Sequence, residues 1–142
     1  MNKWFHAYMG AAERFADLST ARRLKVGAII IKDQRVISIG YNGMPPGMGS
    51  NCEHECKSPG GEIRSLETKE EVIHAEQWAI SKLAGSNESG RGADLVITHA
   101  PCVQCAKLTY ATGIKRVIYK ADYKSDAGIK FLNSCKIEVY QI

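Results

Sequence analysis

Two short stretches constrain this chain more than anything else in it: Val72-Ile73-His74-Ala75-Glu76 and Ala100-Pro101-Cys102-Val103-Gln104-Cys105. His74, Cys102 and Cys105 offer one imidazole and two thiolates, donor types that zinc takes, and three protein ligands leave its fourth position open to water. Glu76 follows two residues after His74. Residues two apart on a helix do not share a face, so this carboxylate is better placed beside a metal-bound water than on the metal itself. A metal-activated water next to a free carboxylate is a hydrolytic arrangement, not a closed structural one. A structural Cys/His zinc site and a redox Cys-x-x-Cys pair are the alternatives for the same residues.

The five cysteines are Cys52, Cys56, Cys102, Cys105 and Cys135. An odd count with no secretory signal ahead of it argues for metal ligation over a disulfide framework, and for the cytoplasm. The 142 residues suggest one domain spanning 1–142, large enough to bury about 68–70% of its unfolded surface. No apolar run approaches the length of a membrane span, so no membrane partner is expected. The net charge of +4 suits an anionic small substrate, and charge alone leaves nucleic acid open.

In chain order, Trp4, Tyr8, Ala12, Phe15 and Leu18 recur as one apolar face of a helix. Val26 to Ile31 reads as a buried strand, Asp33-Gln34 as a turn, and Arg35 to Tyr41 as the second strand of a hairpin. From Asn42 to about Lys69 the reading is a long loop, dense in Gly and Pro at its start. A helix is expected from Thr68 or Lys69 to about Leu83, and a strand from Asp94 to Thr98. Cys102 to about Thr112 reads as a helix capped by Gly113, which sets Cys102 and Cys105 one turn apart on one face. A strand over Lys115 to Lys120, a short helix over Ala127 to Leu132 and a strand over Lys136 to Tyr140 complete the chain. This order predicts a three-layer α/β/α fold around a central five-stranded mixed sheet.

His-x-Glu followed by Pro-Cys-x-x-Cys is the pattern of the zinc nucleobase deaminases. With Lys25-Val26-Gly27-Ala28, Gly40-Tyr41-Asn42-Gly43-Met44-Pro45, Ala106-Lys107 and Gly113-Ile114-Lys115 added, the chain resembles the cytidine deaminase-like superfamily from about Ala21 to its end. Within that superfamily it is most similar to the deoxycytidylate (dCMP) deaminases. The resemblance implies a Zn2+ enzyme that hydrolyses dCMP to dUMP and ammonia, supplying dUMP for thymidylate synthesis. It also implies a homohexamer, activated by dCTP with Mg2+ and inhibited by dTTP. It implies a small-molecule substrate in place of nucleic acid. Another zinc deaminase acting on cytidine, a base or nucleic acid is the alternative, and a non-enzymatic zinc-binding module is a third reading.

The same resemblance assigns roles residue by residue. His74, Cys102 and Cys105 hold the metal, and Glu76 moves protons between water, the ring N3 and the departing 4-amino group. The backbone N–H of Ala75 holds the pyrimidine, Asn42 contacts the deoxyribose, and Tyr123 stands beside the pocket. Asn42 and Gly43 belong to the stretch where the family places an effector triphosphate. The 5′-phosphate needs a cation, for which Arg23, Lys25 and Lys124 are the candidates. Two departures stand out: Trp78 occupies a position where the family often has Asn, and Ala21 one where many relatives carry a second-zinc cysteine. Cys52, His54 and Cys56 are the remaining ligands for a second metal, with free loop thiols as the other reading.

Overall fold

A computed structural model describes residues 2–142. The chain opens with α1 (Asn2–Ala16) and passes into the hairpin β1 (Gly27–Lys32) and β2 (Arg35–Tyr41). Asp33 and Gln34 both have positive φ, as a two-residue hairpin turn whose twist matches its strands requires. After the hairpin come β3 (Glu53–Lys57), β4 (Ile63–Thr68) and α2 (Ala75–Leu83). The remainder alternates: β5 (Asp94–His99), α3 (Val103–Ala111), β6 (Arg116–Ala121), α4 (Ala127–Ser134) and β7 (Glu138–Gln141).

Five strands form one sheet in the order β2-β1-β5-β6-β7. β1 pairs antiparallel with both neighbours, while β5, β6 and β7 run parallel, so the sheet is mixed as expected. The period of two along its strands sorts the core into two layers. Ala28, Ile30, Leu95, Ile97 and Val117 face α2, α3 and α4 through Ala75, Ala79, Ala106 and Leu132. Ile29, Ile31, Val96 and Ile118 face the opposite way, onto Phe5, Met9 and Ala12 of α1. This is the three-layer α/β/α architecture.

Three local expectations are corrected. The buried stripe of α1 is Phe5, Met9, Ala12 and Ala16, whereas Trp4 is 46% and Leu18 57% exposed. Ala12 belongs to the expected face as well, and Tyr8 and Phe15 pack half-buried against the same cluster, so the expected face fails only at its two ends, Trp4 and Leu18. The segment from 42 to 69 is not a plain loop: β3 and β4 pair antiparallel, Glu53 opposite Thr68 and Cys56 opposite Ser65. Few alternating apolar residues mark this two-stranded sheet, because most of its residues are exposed. Finally, α2 begins at Ala75, later than Thr68 or Lys69, because the chain ahead of it first pairs Ile73 with Gly43 in an isolated bridge.

Candidate active site

The site lies where helix N-termini meet the carboxyl ends of the parallel strands, the usual ligand position in open α/β sheets. His74 is the N-cap of α2 in extended conformation, and its backbone N–H donates to the Gln77 side-chain oxygen at 2.7 Å. The Gly43–Ile73 bridge, with N–H···O distances of 3.1 and 2.9 Å, fixes the approach to it. Gly40 lets β2 close on α2: a Cβ there would run into the Ala75 carbonyl and lie 2.6 Å from the Ala79 nitrogen. Cys102 is the N-cap of α3 and Cys105 lies in its first turn. A Cβ on Gly128 would strike the Pro101 carbonyl, so that glycine seats α4 directly against the metal-ligand turn.

His74 Nδ1 is 3.3 Å from the Cys105 sulfur and 3.7 Å from the Cys102 sulfur. Zn–N and Zn–S bond lengths in a tetrahedral site put N and S about 3.5 Å apart, so the three donors fit one zinc ion. Among the described residues this is the only such group of three, with donor atoms within 4.8 Å of one another. Hydrogen bonds from Cys105 and then His74 pull the Cys102 thiol down to about 3. The Cys105 thiol is pushed up by its hydrogen bond with Cys102 and by burial, so the pair shares a proton that a metal would displace. His74 is raised, first by its hydrogen bond to Cys102.

Glu76 is 4% exposed in the first turn of α2. Burial pushes its carboxyl up to about 7, against the lowering effect of its own backbone N–H and of His74. A group balanced near neutrality can both accept and return a proton. It lines a cleft with His74, Ala75, Cys102, Asn42 and Tyr123. Ala75 is fully buried at the first helical position, where a backbone N–H has no intrahelical acceptor. Asn42 acts as a clamp: its Oδ1 accepts from Val26 N and its Nδ2 donates to Leu24 O, both at 2.8 Å.

The three cation candidates separate. Arg23 lines the cleft and donates from Nη1 to Thr68 Oγ1 at 3.0 Å. Lys25 instead lines an adjoining depression with Thr98 and His99. Lys124 lies with Nζ 5.7 Å from the Tyr123 ring centroid, a cation–π distance. Cys52, His54 and Cys56 do not converge as the first three donors do. Cys52 is buried in an apolar cluster with Ala21 and Val72, His54 is exposed and Cys56 half-buried. With Ala in place of a fourth-ligand cysteine, the thiol packs as a small apolar side chain.

Sequence reading missed Glu53, Thr68 and His99, which also line the cleft. His99 ends β5, shares a 2.9 Å hydrogen bond with Thr98 Oγ1, and is lowered by burial. A polar residue closing an apolar strand three positions before Cys102 was the available signal. Glu53 had one too, an acid between Cys52 and His54, which the metal reading of that stretch obscured.

Residues 2–121 match the family model described as the cytidine and deoxycytidylate deaminase zinc-binding region. The chain belongs to this family. It is 38% identical over 121 residues to deoxycytidylate deaminase of Mycobacterium phage D29, covering 82% of this chain and 93% of that one. It is also 38% identical over 122 residues to ComE operon protein 2 of Bacillus subtilis, covering 86% of this chain but only 61% of that longer protein. Among solved structures, the dCMP deaminase of cyanophage S-TIM5 in complex with dCMP and dUMP superposes with a TM-score of 0.84. That pair is 37% identical, with 96% of this chain and 95% of the phage chain covered. The family assignment and the five-stranded mixed sheet expected from the sequence both hold.

Proposed function

We propose that this chain hydrolyses dCMP to dUMP and ammonia with one zinc ion held by His74, Cys102 and Cys105. The observation that carries the reading is Glu76, a buried carboxyl held near neutrality beside those three donors. A closed structural metal site has no use for it. Zinc bound there supplies Lewis-acid activation of water. Glu76 takes the water's proton and delivers it to ring N3, so that the water oxygen adds to C4; it then carries that oxygen's remaining proton to the 4-amino group, and the C4–N bond breaks to release ammonia as the C4 carbonyl forms. The Ala75 N–H, pointing out of the helix start, is placed to hold the pyrimidine oxygen, and Tyr123 forms the cleft wall. Asn42 shapes the sugar's side of the cleft by tying down residues 24–26.

Arg23 is the cation of the three that lines this cleft, so it is assigned to the 5′-phosphate. A charge-assisted contact of that kind makes dCMP a better substrate than deoxycytidine. An ultraviolet assay comparing dCMP, deoxycytidine and a cytosine-containing oligonucleotide tests the reading; equal kcat/KM for dCMP and deoxycytidine rejects it.

Regulation belongs to the same proposal: a homohexamer favoured by dCTP with Mg2+ and opposed by dTTP. Its support is local. Gly43, in the glycine-rich stretch, is bonded to Ile73, the residue before His74, so a ligand on that stretch reaches the metal-binding turn through one backbone bridge. Each effector must bind one state better than the other and so shift the dCMP saturation curve. A curve indifferent to both triphosphates, with a monomer mass by light scattering, rejects this part alone. A cytoplasmic setting is proposed with it, since all five cysteines are free and a reducing compartment keeps them so.

A further inference from the structure

Glu53 is 2% exposed. Its Oε2 accepts hydrogen bonds from the backbone N–H groups of Arg22 and Arg23, at 2.9 and 3.1 Å. Its Oε1 is buried and has no hydrogen-bond partner; the nearest opposite charge, Arg22 Nε, is 3.6 Å away. A buried carboxylate oxygen left without a donor is costly, and such groups in native structures call for a specific explanation. The explanation is local, because Glu53 lines the cleft that holds Glu76. The cleft therefore contains two carboxylates, one balanced for proton transfer and one fixed by two backbone donors with an acceptor to spare.

The donor for that acceptor can be identified by elimination. The inference rests on dCMP being the substrate. A deoxycytidine monophosphate offers two kinds of hydrogen-bond donor, the 4-amino group and the 3′-hydroxyl, since the 2′ position carries no oxygen and the 5′ oxygen is esterified. The 4-amino group must lie at Glu76, where it leaves. We infer that Glu53 accepts a hydrogen bond from the 3′-hydroxyl of the bound nucleotide and is a specificity-determining residue of the site. Its negative charge also keeps the phosphate away from that wall, so the phosphate end is directed to Arg23. The two Oε2 bonds hold Arg23's backbone in place and link sugar recognition to phosphate recognition.

The zinc-loaded enzyme tests this with dCMP and three analogues altered at the 3′ position: 2′,3′-dideoxy, 3′-fluoro and 3′-amino. A hydrogen bond to a charged acceptor contributes about 10- to 150-fold, so kcat/KM falls by that factor for the dideoxy and fluoro compounds, which cannot donate. The 3′-amino compound, a donor, is retained. In Glu53→Gln, whose neutral amide removes the charge assistance, the preference for dCMP over the dideoxy compound shrinks several-fold, with zinc content and melting temperature recorded alongside. Wild-type enzyme that treats the dideoxy or fluoro compound like dCMP overturns the inference without any variant. So does a folded Glu53→Gln enzyme that keeps the full wild-type preference. Absence of dCMP turnover by the wild-type enzyme overturns the substrate reading and this one with it, whereas the other two failures leave dCMP deamination standing.

Discussion

Glu76→Gln separates what the buried carboxyl does for the reaction from what it costs the fold. The substitution keeps the size and shape of the side chain and removes its ionisation. A carboxyl that titrates at about 7 in the folded chain against an ordinary 4.5 destabilises the ionised fold by roughly 3 kcal/mol, at about 1.36 kcal/mol per pKa unit. The sign follows from the raised value. Below the unfolded pKa the group is protonated in both states and costs nothing; the cost grows as pH rises to the folded value and is constant above it. Zinc-free Glu76→Gln is therefore more stable than zinc-free wild type by roughly 3 kcal/mol at pH 8.5, about 10 °C in Tm, and by under about 1 kcal/mol at pH 5. Urea unfolding of both proteins at the two pH values measures this. Zinc loading shrinks the gain, because a nearby dication favours the ionised carboxylate. Turnover of dCMP in the zinc-loaded variant falls by at least about 10²–10⁴-fold. A stability difference independent of pH would falsify the claim that desolvation holds Glu76 near neutrality; near-native turnover would remove it from proton transfer.

Two further substitutions probe the scaffold. Cys102→Ala removes the N-cap thiolate of α3 and leaves two donors, so metal analysis after dialysis should find zinc lost together with activity; full zinc retention contradicts the ligand set. Gly40→Ala pushes a methyl into the Ala75 carbonyl and the Ala79 nitrogen, an overpacking that costs about 1–3 kcal/mol. Because Ala75 lies beside Glu76, kcat should drop as well. Unchanged urea midpoint and unchanged kcat would show that β2 and α2 are not in the contact described.

The candidate centre was legible because metal chemistry restricts residue type and spacing so tightly that His74, Cys102 and Cys105, which the fold brings together, can be picked out of one sequence with Glu76 beside them. The sheet was legible for a related reason: the runs Ala28–Ile31 and Leu95–Ile97 at the centres of β1 and β5 are wholly apolar, as strands covered on both faces must be. What escaped was whatever depends on a partner distant in sequence. An acid between Cys52 and His54 is visible in the sequence, but not that it accepts from the Arg22 and Arg23 amides, 31 and 30 residues away. The exposed β3–β4 pair lacks the apolar alternation that marks a half-buried strand. On α1 the expected face kept Tyr8, Ala12 and Phe15 but missed Phe5 and Met9, because only packing against Ile29, Ile31 and Val96 distinguishes two neighbouring periodic faces. Likewise Cys52, a ligand by residue type, is a packing atom by environment.

The β3–β4 pair reaches the cleft only at its base, where Glu53 faces Thr68. Its far end turns over between Ser58 and Glu62, joined by a 2.7 Å backbone bond, through Pro59, Gly60 and Gly61, which are exposed. Changes in length at that tip leave the base register untouched, so this is the place in the chain to splice in an affinity tag or reporter without displacing a cleft residue. It is also the point at which the polypeptide could be cut in two, the halves remaining paired through the β3–β4 ladder and, across the main sheet, through β1 and β5.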